Sequence, residues 1–296
     1  MLSASATTPP HDPDQPRHRP MSAPRRPSPG SLPVALTIAG SDSGGGAGIQ
    51  ADLKTFHAFG VFGTSAVTAI TAQNTLGVTA VHPVPAEVVR AQIDAVAADL
   101  HPRALKTGML ATAELVDTVA EAIAAHQLRA FVMDPVMVAA SGHRLLEPDA
   151  EATLARRLLP LAALVTPNLH EAGLLTGQEV ASLAAMKAAA RHLVKMGAGA
   201  ALVKGGHLPS GEAADVFRDG NEERIWRRPR IATRQVHGTG CTLSAAVAAG
   251  LARGAPLPRA VDTAIDFVAR AISSAPGLGA GGGPINHFAG PRTDGD

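Results

Sequence analysis

The residues best suited to chemistry lie where a helix is expected to begin, in the run Gly238-Thr239-Gly240-Cys241. The residues that follow, 242–251, are small and apolar and contain no proline, which predicts a helix. Glycines before a helix let several backbone N–H groups point outward together. These groups and the helix dipole form a cradle for an anion, and a phosphoryl group in transfer would fit it.

Cys241 is the reactive side chain of this run. The field that favours an anion at a helix start also favours a thiolate, so we expect the thiol to ionise readily. The alternative is structural: a glycine-rich turn that leads from a strand into a helix, with Cys241 as a small buried hydrophobe.

A second glycine-rich segment lies near the beginning of the chain, at 35–56. It combines a short apolar strand, a polar turn and an amphipathic helix that carries Ile49, Leu53 and Phe56 on one face. The usual nucleotide signatures are missing, because there is no GxxxxGK[ST] loop and the glycines at 44–48 lack the rest of a dinucleotide fingerprint.

Strand and helix patterns alternate along the chain, which predicts an α/β fold with a mostly parallel sheet covered by helices on both faces. The predicted strands are 34–39, 65–72, 104–107, 130–134, 163–166 and 200–204, followed by a hairpin at 215–218 and 224–231. The clearest helices are 86–100, 113–126, 150–159, 183–196, 241–253 and 257–274.

The polar and glycine-rich motifs follow the ends of these predicted strands. In open α/β sheets, ligands bind outside the carboxyl ends of the strands. We therefore expect the motifs to converge on one edge of the sheet. They are 40–48, 73–74, 108–109, 134–137, 168–171 and 205–206.

Composition limits the class of protein. With 296 residues, 46% of them hydrophobic and 17% charged, the chain can bury a large core. A net charge of +1 argues against nucleic acid or an acidic membrane as the main partner, and no apolar run is long enough to span a bilayer. A single cysteine allows no internal disulfide, which suits the cytoplasm, and no Cys or His pair has zinc-ligand spacing.

The chain divides into two parts. Residues 1–31 are rich in Pro, Ser, Ala, Arg and His and are expected to be a disordered tail. An organelle-targeting peptide is the alternative, although the prolines would spoil the amphipathic helix that such a peptide needs. Residues 32–290 show no internal repeat or linker and are expected to form one domain.

Several segments of the chain resemble a known family, the hydroxymethylpyrimidine/phosphomethylpyrimidine kinases of thiamine biosynthesis, within the ribokinase-like superfamily. The resemblance implies a three-layer α-β-α sandwich and covers most of 34–288. It is carried by the 35–56 segment and by VTAITAQNT (67–75), KTGML (106–110), DPVMVAASGHRLL (134–146), TPNLHEA (166–172), VKGGH (203–207) and HGTGCTLSAA (237–246).

The resemblance implies a kinase that uses ATP and Mg²⁺. The phosphates would approach the backbone of Gly238, Gly240 and Cys241, with Thr239 in the same cradle. Lys204 would be a phosphate-facing cation, although it could also be a solvated lysine that ends a strand. Asn168 is a further ATP- or phosphate-binding candidate, and its alternative role is to cap a helix.

Asp134 and Glu171 are the acidic candidates for organising magnesium through water, because this ion prefers oxygen ligands and dehydrates reluctantly. The structural alternative for both is a carboxylate that caps the next helix or pairs with a base.

For the pyrimidine, the resemblance points to a pocket lined by Gly40, Asp52, Gln73, Met109 and Val136. A carboxamide such as Gln73 can match the donor and acceptor edge of an aminopyrimidine, and the apolar Met109 and Val136 can sandwich the ring. Asp52 could instead be an ordinary first-turn acid that complements a helix dipole.

Cys241 replaces the aspartate that ribokinases carry at the end of their GxGD motif. As a thiolate it could accept the proton of the attacking hydroxymethyl group. The closing segment departs from the family, since Gly281-Gly282-Gly283-Pro284 stands where a histidine is usual, and we leave it out of the site. A pyridoxal or pyridoxine kinase and a non-catalytic pyrimidine-binding regulator remain alternatives, and a homodimer is expected from the relatives.

Overall fold

The computed structural model describes residues 32–137, 145–206, 208 and 212–290. The predicted tail at 1–31 lies outside the described residues, and so does part of the DPVMVAASGHRLL motif. The boundary of the domain at 32–290 stays a prediction.

Within the described residues, nine strands form one sheet. They are β1 (Val34–Asp42), β2 (Phe62–Asn74), β3 (Gly77–Pro83), β4 (Ala104–Thr107), β5 (Phe131–Met133), β6 (Leu164–Val165), β7 (Ala200–Gly205), β8 (Glu212–Asp219) and β9 (Glu223–Pro229). The helices are α1 (Gly48–Ala58), α2 (Ala86–Asp99), α3 (Ala113–Ala125), α4 (Pro148–Arg157), α5 (Leu169–Thr176), α6 (Leu183–Lys195), α7 (Thr239–Ala252) and α8 (Leu257–Ser273), with short 3₁₀ turns at Leu159–Leu161 and His287–Ala289.

The strand order is β3-β2-β1-β4-β5-β6-β7-β8-β9. Every pairing from β2 to β7 is parallel, whereas β3 at one edge and β8 and β9 at the other are antiparallel. The predicted α/β class and mostly parallel sheet are therefore confirmed. The chain passes from β1 to β2 and β3 on one side and returns to β4 on the other, so a topological switch point lies between β1 and β4, where ligands commonly bind.

The predicted strands and helices are present, with boundaries that differ by a few residues. Two elements were missing from the prediction, β3 and α5. Every residue of β3 is exposed or half-buried, and the strand lacks the apolar run of a central strand. The helix α5 has only 8 residues, and its stability comes from its caps and packing more than from a periodic pattern.

Helices cover both faces of the sheet, which gives the three-layer α-β-α arrangement. One core, with Leu36 and Leu105, packs under α2 to α6, and the other, with Ala35 and Ala104, packs under α1, α7 and α8. Side chains alternate between the faces of a strand, so Lys106 lies on the same face as Ala104, toward α1 and α7. Among the described residues, no helix combines the length and apolar character that a membrane span requires.

Candidate active site

The start of α7 has the conformation that the glycines predict. Gly238 is the N-cap and adopts a left-handed conformation with φ of 80°. A Cβ at this position would overlap the carbonyl oxygen of Gly46, so the glycine turn after β1 and the start of α7 touch here. Only glycine fits this close approach of two backbones.

The free backbone donors at this helix start are those of Gly240 and Cys241. In the part of the chain that the structure describes, neither N–H group has a hydrogen-bond acceptor. Thr239 differs, since its N–H group and its hydroxyl both donate to the carbonyl oxygen of Val236, at 3.2 and 2.6 Å. The cradle therefore presents the amides of Gly240 and Cys241, and the polar donors of Thr239 are already used.

Lys204 lies beside this cradle at the end of β7. Its Nζ donates to Oδ1 of Asp134 at 3.1 Å, and a Cβ added to Gly240 would come within 3.2 Å of the same nitrogen. Burial lowers the pKa of Lys204, but the negative charges of Asp134 and Glu171 outweigh this effect and the pKa is raised. The ammonium group is therefore charged and close to the position that the cradle offers to an anion.

Asn168 and Glu171 form a capping box at the start of α5. The Glu171 N–H group donates to Oδ1 of Asn168 at 2.9 Å, and the Asn168 N–H group donates to Oε2 of Glu171 at 2.8 Å. The capping role that was the alternative for both residues is thus present. Contact of Asn168 with a phosphate stays a prediction.

The Glu171 carboxyl is nevertheless unusual for a capping residue. Burial, together with the nearby charge of Asp134, raises its pKa to about 7, although Lys204 and hydrogen bonds from the N–H groups of Asn168 and Met137 oppose the shift. A cation in addition to Lys204, placed near the carboxylates of Asp134 and Glu171, would favour the ionised form of Glu171.

The donor set around Asp134 suits magnesium only in part. Within the described ranges, no three His, Cys, Asp or Glu side chains are grouped closely enough to ligate a metal ion by themselves. Magnesium usually keeps several waters and takes one or two carboxylates plus substrate phosphates. Asp134 and Glu171 beside an anion cradle fit that pattern and do not fit a dedicated protein cage.

Four of the residues predicted to line the pyrimidine pocket lie at the carboxyl ends of β1, β2, β4 and β5 or just after them. Gly40 and Met109 are in contact across the switch point, because a Cβ on Gly40 would lie 3.3 Å from the Met109 sulfur. Gln73 is half-buried near the end of β2, and its amide nitrogen lies 3.2 Å from Nε2 of His237. Val136 is half-buried after β5, and its contact with a ring stays a prediction.

Asp52 has a different environment from the other pocket candidates. It is completely buried in α1, where its carboxylate accepts hydrogen bonds from Lys106 Nζ at 3.1 and 3.0 Å and from the Thr37 hydroxyl at 2.6 Å. Lys106 is also completely buried. Asp52 is therefore not a simple first-turn acid facing water, and direct contact with a ligand stays a prediction.

The expectation of a readily ionised Cys241 is wrong. Burial raises the pKa of the thiol to about 11, and the negative charges of Asp52 and Asp134 act in the same direction. The positive charge of Lys106 and a hydrogen bond from the Gly48 N–H group lower it only in part. The helix start does not outweigh the loss of water around the sulfur.

The sequence reasoning missed several residues that organise the site. Asp42 accepts hydrogen bonds from the N–H groups of Gly44, Gly46 and Ala47 at 2.8, 3.0 and 2.8 Å, and His237 Nε2 lies 3.0 Å from its Oδ2. Burial raises the pKa of Asp42, but these hydrogen bonds outweigh it and the pKa is lowered. The signal for Asp42 was an acidic residue within a glycine run, and no local signal distinguished Lys106.

Comparison with known proteins agrees with this geometry. The family model described as phosphomethylpyrimidine kinase matches residues 42–286. A hydroxymethylpyrimidine/phosphomethylpyrimidine kinase of Rhizobium meliloti is 56% identical over 260 residues, which cover 86% of this chain and 97% of that protein.

Solved structures show the same fold. A phosphomethylpyrimidine kinase of Clostridium difficile has a TM-score of 0.73 at 41% identity and covers 82% of this chain and 100% of its own. A pyridoxal kinase of Bacillus subtilis, solved as an ADP complex, has a TM-score of 0.82 at 40% identity, with coverage of 88% and 98%. The chain therefore belongs to the phosphomethylpyrimidine kinase family, which consists of phosphotransferases with the ribokinase-like fold.

Proposed function

We propose that this protein uses ATP to phosphorylate 4-amino-5-hydroxymethyl-2-methylpyrimidine and then phosphorylates the monophosphate to the diphosphate, in thiamine diphosphate biosynthesis. The observation that carries the proposal is the pair of free amides at Gly240 and Cys241, which lies beside Lys204. A hydrogen bond from the Gly48 N–H group to the Cys241 thiol, and the close contact of Gly48 with Gly40, connect this helix start to Gly40. The names of the relatives supply the substrate class.

Phosphoryl transfer depends mainly on positioning and on neutralising charge. Lys204 and the Gly240 and Cys241 amides would hold the phosphoryl group as it moves between donor and acceptor. Asp134 and Glu171 would hold Mg²⁺ through water, and the bound ion would supply positive charge to the phosphates. The ADP complex of the Bacillus subtilis relative supports ATP as the phosphate donor.

The two steps differ in their need for a base. The first acceptor is an alcohol, whose oxygen must lose a proton as it bonds to phosphorus, whereas the second is a phosphate monoester that is mostly ionised at neutral pH. We propose that Cys241 takes the alcohol proton. Because burial raises the pKa of this thiol to about 11, the role requires that bound ligands lower the pKa of the thiol.

The decisive experiment supplies the purified protein with ATP, Mg²⁺ and, in separate reactions, the pyrimidine alcohol, its monophosphate and pyridoxal. We expect ADP release with both pyrimidines and identification of the monophosphate and diphosphate as products. Binding of the pyrimidine without any ADP formation would contradict the proposal and favour the non-catalytic regulator.

A pyridoxal or pyridoxine kinase is the second candidate, and the resemblance to the Bacillus subtilis pyridoxal kinase favours it. That structure superposes at least as well as the phosphomethylpyrimidine kinase, so the fold does not separate the two activities. The ratio of kcat/KM for the pyrimidine alcohol and pyridoxal separates them, and we expect the pyrimidine to be preferred.

Two further proposals concern the form of the enzyme in the cell. We propose a cytoplasmic enzyme, supported by the single cysteine and by the kinase relatives. We also propose a homodimer, which sedimentation equilibrium of the full chain tests, because a monomeric mass at micromolar concentration would contradict it.

A further inference from the structure

His237 connects three parts of the site. It immediately precedes Gly238 at the start of α7, and its Nε2 lies 3.0 Å from Asp42 Oδ2 and 3.2 Å from Gln73 Nε2. Its ring also packs on the glycine turn, since a Cβ on Gly46 would come within 2.6 Å of the ring carbon Cδ2. This one side chain therefore contacts the glycine turn and the amide predicted to bind the pyrimidine, next to the anion cradle.

The hydrogen-bond partners of Asp42 determine whether Asp42 or His237 carries the proton between them. Asp42 accepts three backbone N–H groups and is an ionised acceptor, so it cannot donate to His237. The short distance between Asp42 Oδ2 and His237 Nε2 therefore requires a proton on Nε2, whether the ring is neutral or charged.

This proton conflicts with the Gln73 amide nitrogen at 3.2 Å, because two N–H groups cannot bond to each other. A second conflict lies at the other end of the amide, where the Thr71 hydroxyl oxygen faces Gln73 Oε1. The single hydroxyl proton of Thr71 is donated to the Ser41 carbonyl at the shorter distance of 2.8 Å, so Gln73 Oε1 at 3.2 Å receives at most a share of it.

A half-turn of the carboxamide about its last bond removes both conflicts. Oε1 then shares the His237 Nε2–H proton with Asp42 Oδ2 in a three-centre hydrogen bond, and the amide nitrogen donates to the Thr71 hydroxyl oxygen. Oxygen and nitrogen of a glutamine amide are assigned from such networks, because their positions are nearly equivalent.

We infer that His237 fixes the Gln73 carboxamide with its oxygen toward His237 and its nitrogen toward Thr71, and that His237 thereby determines which pyrimidine edge the enzyme accepts. The inference rests on the proposed function, in which Gln73 contacts the pyrimidine. It makes His237 a specificity-determining residue that acts through Gln73.

The chemistry of the substrate agrees with this orientation. The reacting hydroxymethyl group must point to the cradle, which begins next to His237. In the pyrimidine, the 4-amino group neighbours the carbon that carries the hydroxymethyl group, and the ring nitrogen N3 lies one position further away. The 4-amino group thus faces the amide oxygen on the His237 side and donates to it, while N3 accepts from the amide nitrogen on the Thr71 side.

A 4-oxo analogue reverses this pattern, because it presents an acceptor at position 4 and an N–H donor at N3. A site that fixes its polar groups rejects a mismatched edge strongly, since buried groups are left unpaired. We expect the 4-amino compound to be preferred over the 4-oxo compound by at least about a hundredfold in kcat/KM.

The test compares both compounds as substrates for the full chain and for His237→Phe, Gln73→Ala and the double variant. Phenylalanine keeps a ring over Gly46 but cannot donate, so the amide is free to turn and the preference should fall at least tenfold. In the Gln73→Ala background, the same change should leave the preference unaltered. Calorimetric Kd values for the two compounds measure the preference in binding should a variant lose turnover, and circular dichroism checks that each variant folds.

The outcomes separate the inference from the proposed function. If Gln73→Ala weakens binding of the 4-amino compound but His237→Phe keeps its preference, the orienting role of His237 is wrong. A preference that falls equally with and without Gln73 also overturns it. If Gln73→Ala leaves both KM and Kd for the 4-amino compound unchanged, then the pyrimidine site itself is misplaced and the proposed contact fails too.

Discussion

Gly238 and Gly46 approach each other so closely that neither a methyl group nor a water molecule fits between the Cα of Gly238 and the carbonyl oxygen of Gly46. The turn after β1 and the start of α7, almost two hundred residues apart in the chain, thus lie in direct contact. This contact places the start of α7, with its anion cradle, against the glycine turn that follows β1.

We expect Gly238→Ala to abolish kinase activity and to destabilise the protein by several kcal/mol, because the Cβ would both overlap Gly46 and strain a left-handed residue. Gly254→Ala is the matched control. Gly254 has φ of 85° but no atom within 4 Å of an added Cβ. Gly254→Ala should therefore lower the free energy of unfolding by about 1 kcal/mol and leave the activity unchanged. Urea unfolding and the ADP assay measure both, and similar effects of the two changes would contradict the close-contact argument.

Cys241→Ala should slow phosphorylation of the pyrimidine alcohol far more than that of the monophosphate. Only the alcohol must lose a proton, so only the first step needs a base. Separate measurements of kcat with each acceptor test this. Equal losses in the two steps would assign Cys241 to the anion cradle or to the fold.

The Cys241 thiol should react slowly with iodoacetamide at neutral pH, and the rate of alkylation should rise until about pH 11.

The free energy of unfolding should also depend on pH through this thiol. A thiol whose pKa is higher in the folded protein than the ordinary value of about 8.5 contributes stability below that value, and the contribution is lost as pH rises toward 11. Cys241→Ala should remove this part of the pH dependence. A plateau of the alkylation rate below pH 8 would show that the thiol ionises readily after all.

Lys106→Met should lower the free energy of unfolding by about 3–5 kcal/mol, because it leaves the Asp52 carboxylate buried without its cation. Arg227→Ala, which breaks an exposed pair with Glu212, is the control and should cost at most about 1 kcal/mol. The double variant Lys106→Met/Asp52→Asn should be more stable than Lys106→Met alone, since the uncompensated charge is gone. A double variant as unstable as the single one would attribute the loss to packing instead.

Glu171→Gln should separate stability from activity. The ordinary pKa of this carboxyl is about 4.5 and burial raises it to about 7, so its contribution to stability is lost as pH rises between these values. Glutamine can still accept the Asn168 N–H group, so the variant should gain stability relative to the parent at pH 8 but little at pH 4. Turnover with ATP and Mg²⁺ should fall. An equal stability difference at both pH values would contradict the assigned pKa.

Several features of the protein could be predicted from local sequence because their causes are local. The glycines at 238 and 240 before a run of small residues predicted the start of α7, and the alternation of strands and helices predicted a parallel sheet with ligand motifs at its edge. The segments shared with the family then indicated a kinase. The edge strand β3 was missed because partial exposure removes the hydrophobic pattern on which strand prediction depends.

The environments of the site residues depended on tertiary structure. Asp52 and Lys106 are 54 positions apart, and Asp42 and His237 are 195 apart, so no local pattern could show that these side chains meet. Burial also reversed the expectation for Cys241, since the pKa of a thiol depends on how much water and which charges surround it after folding. The sequence alone thus determined the elements and the chemical class of the site, whereas packing decided which side chains meet there and which of them keep their protons.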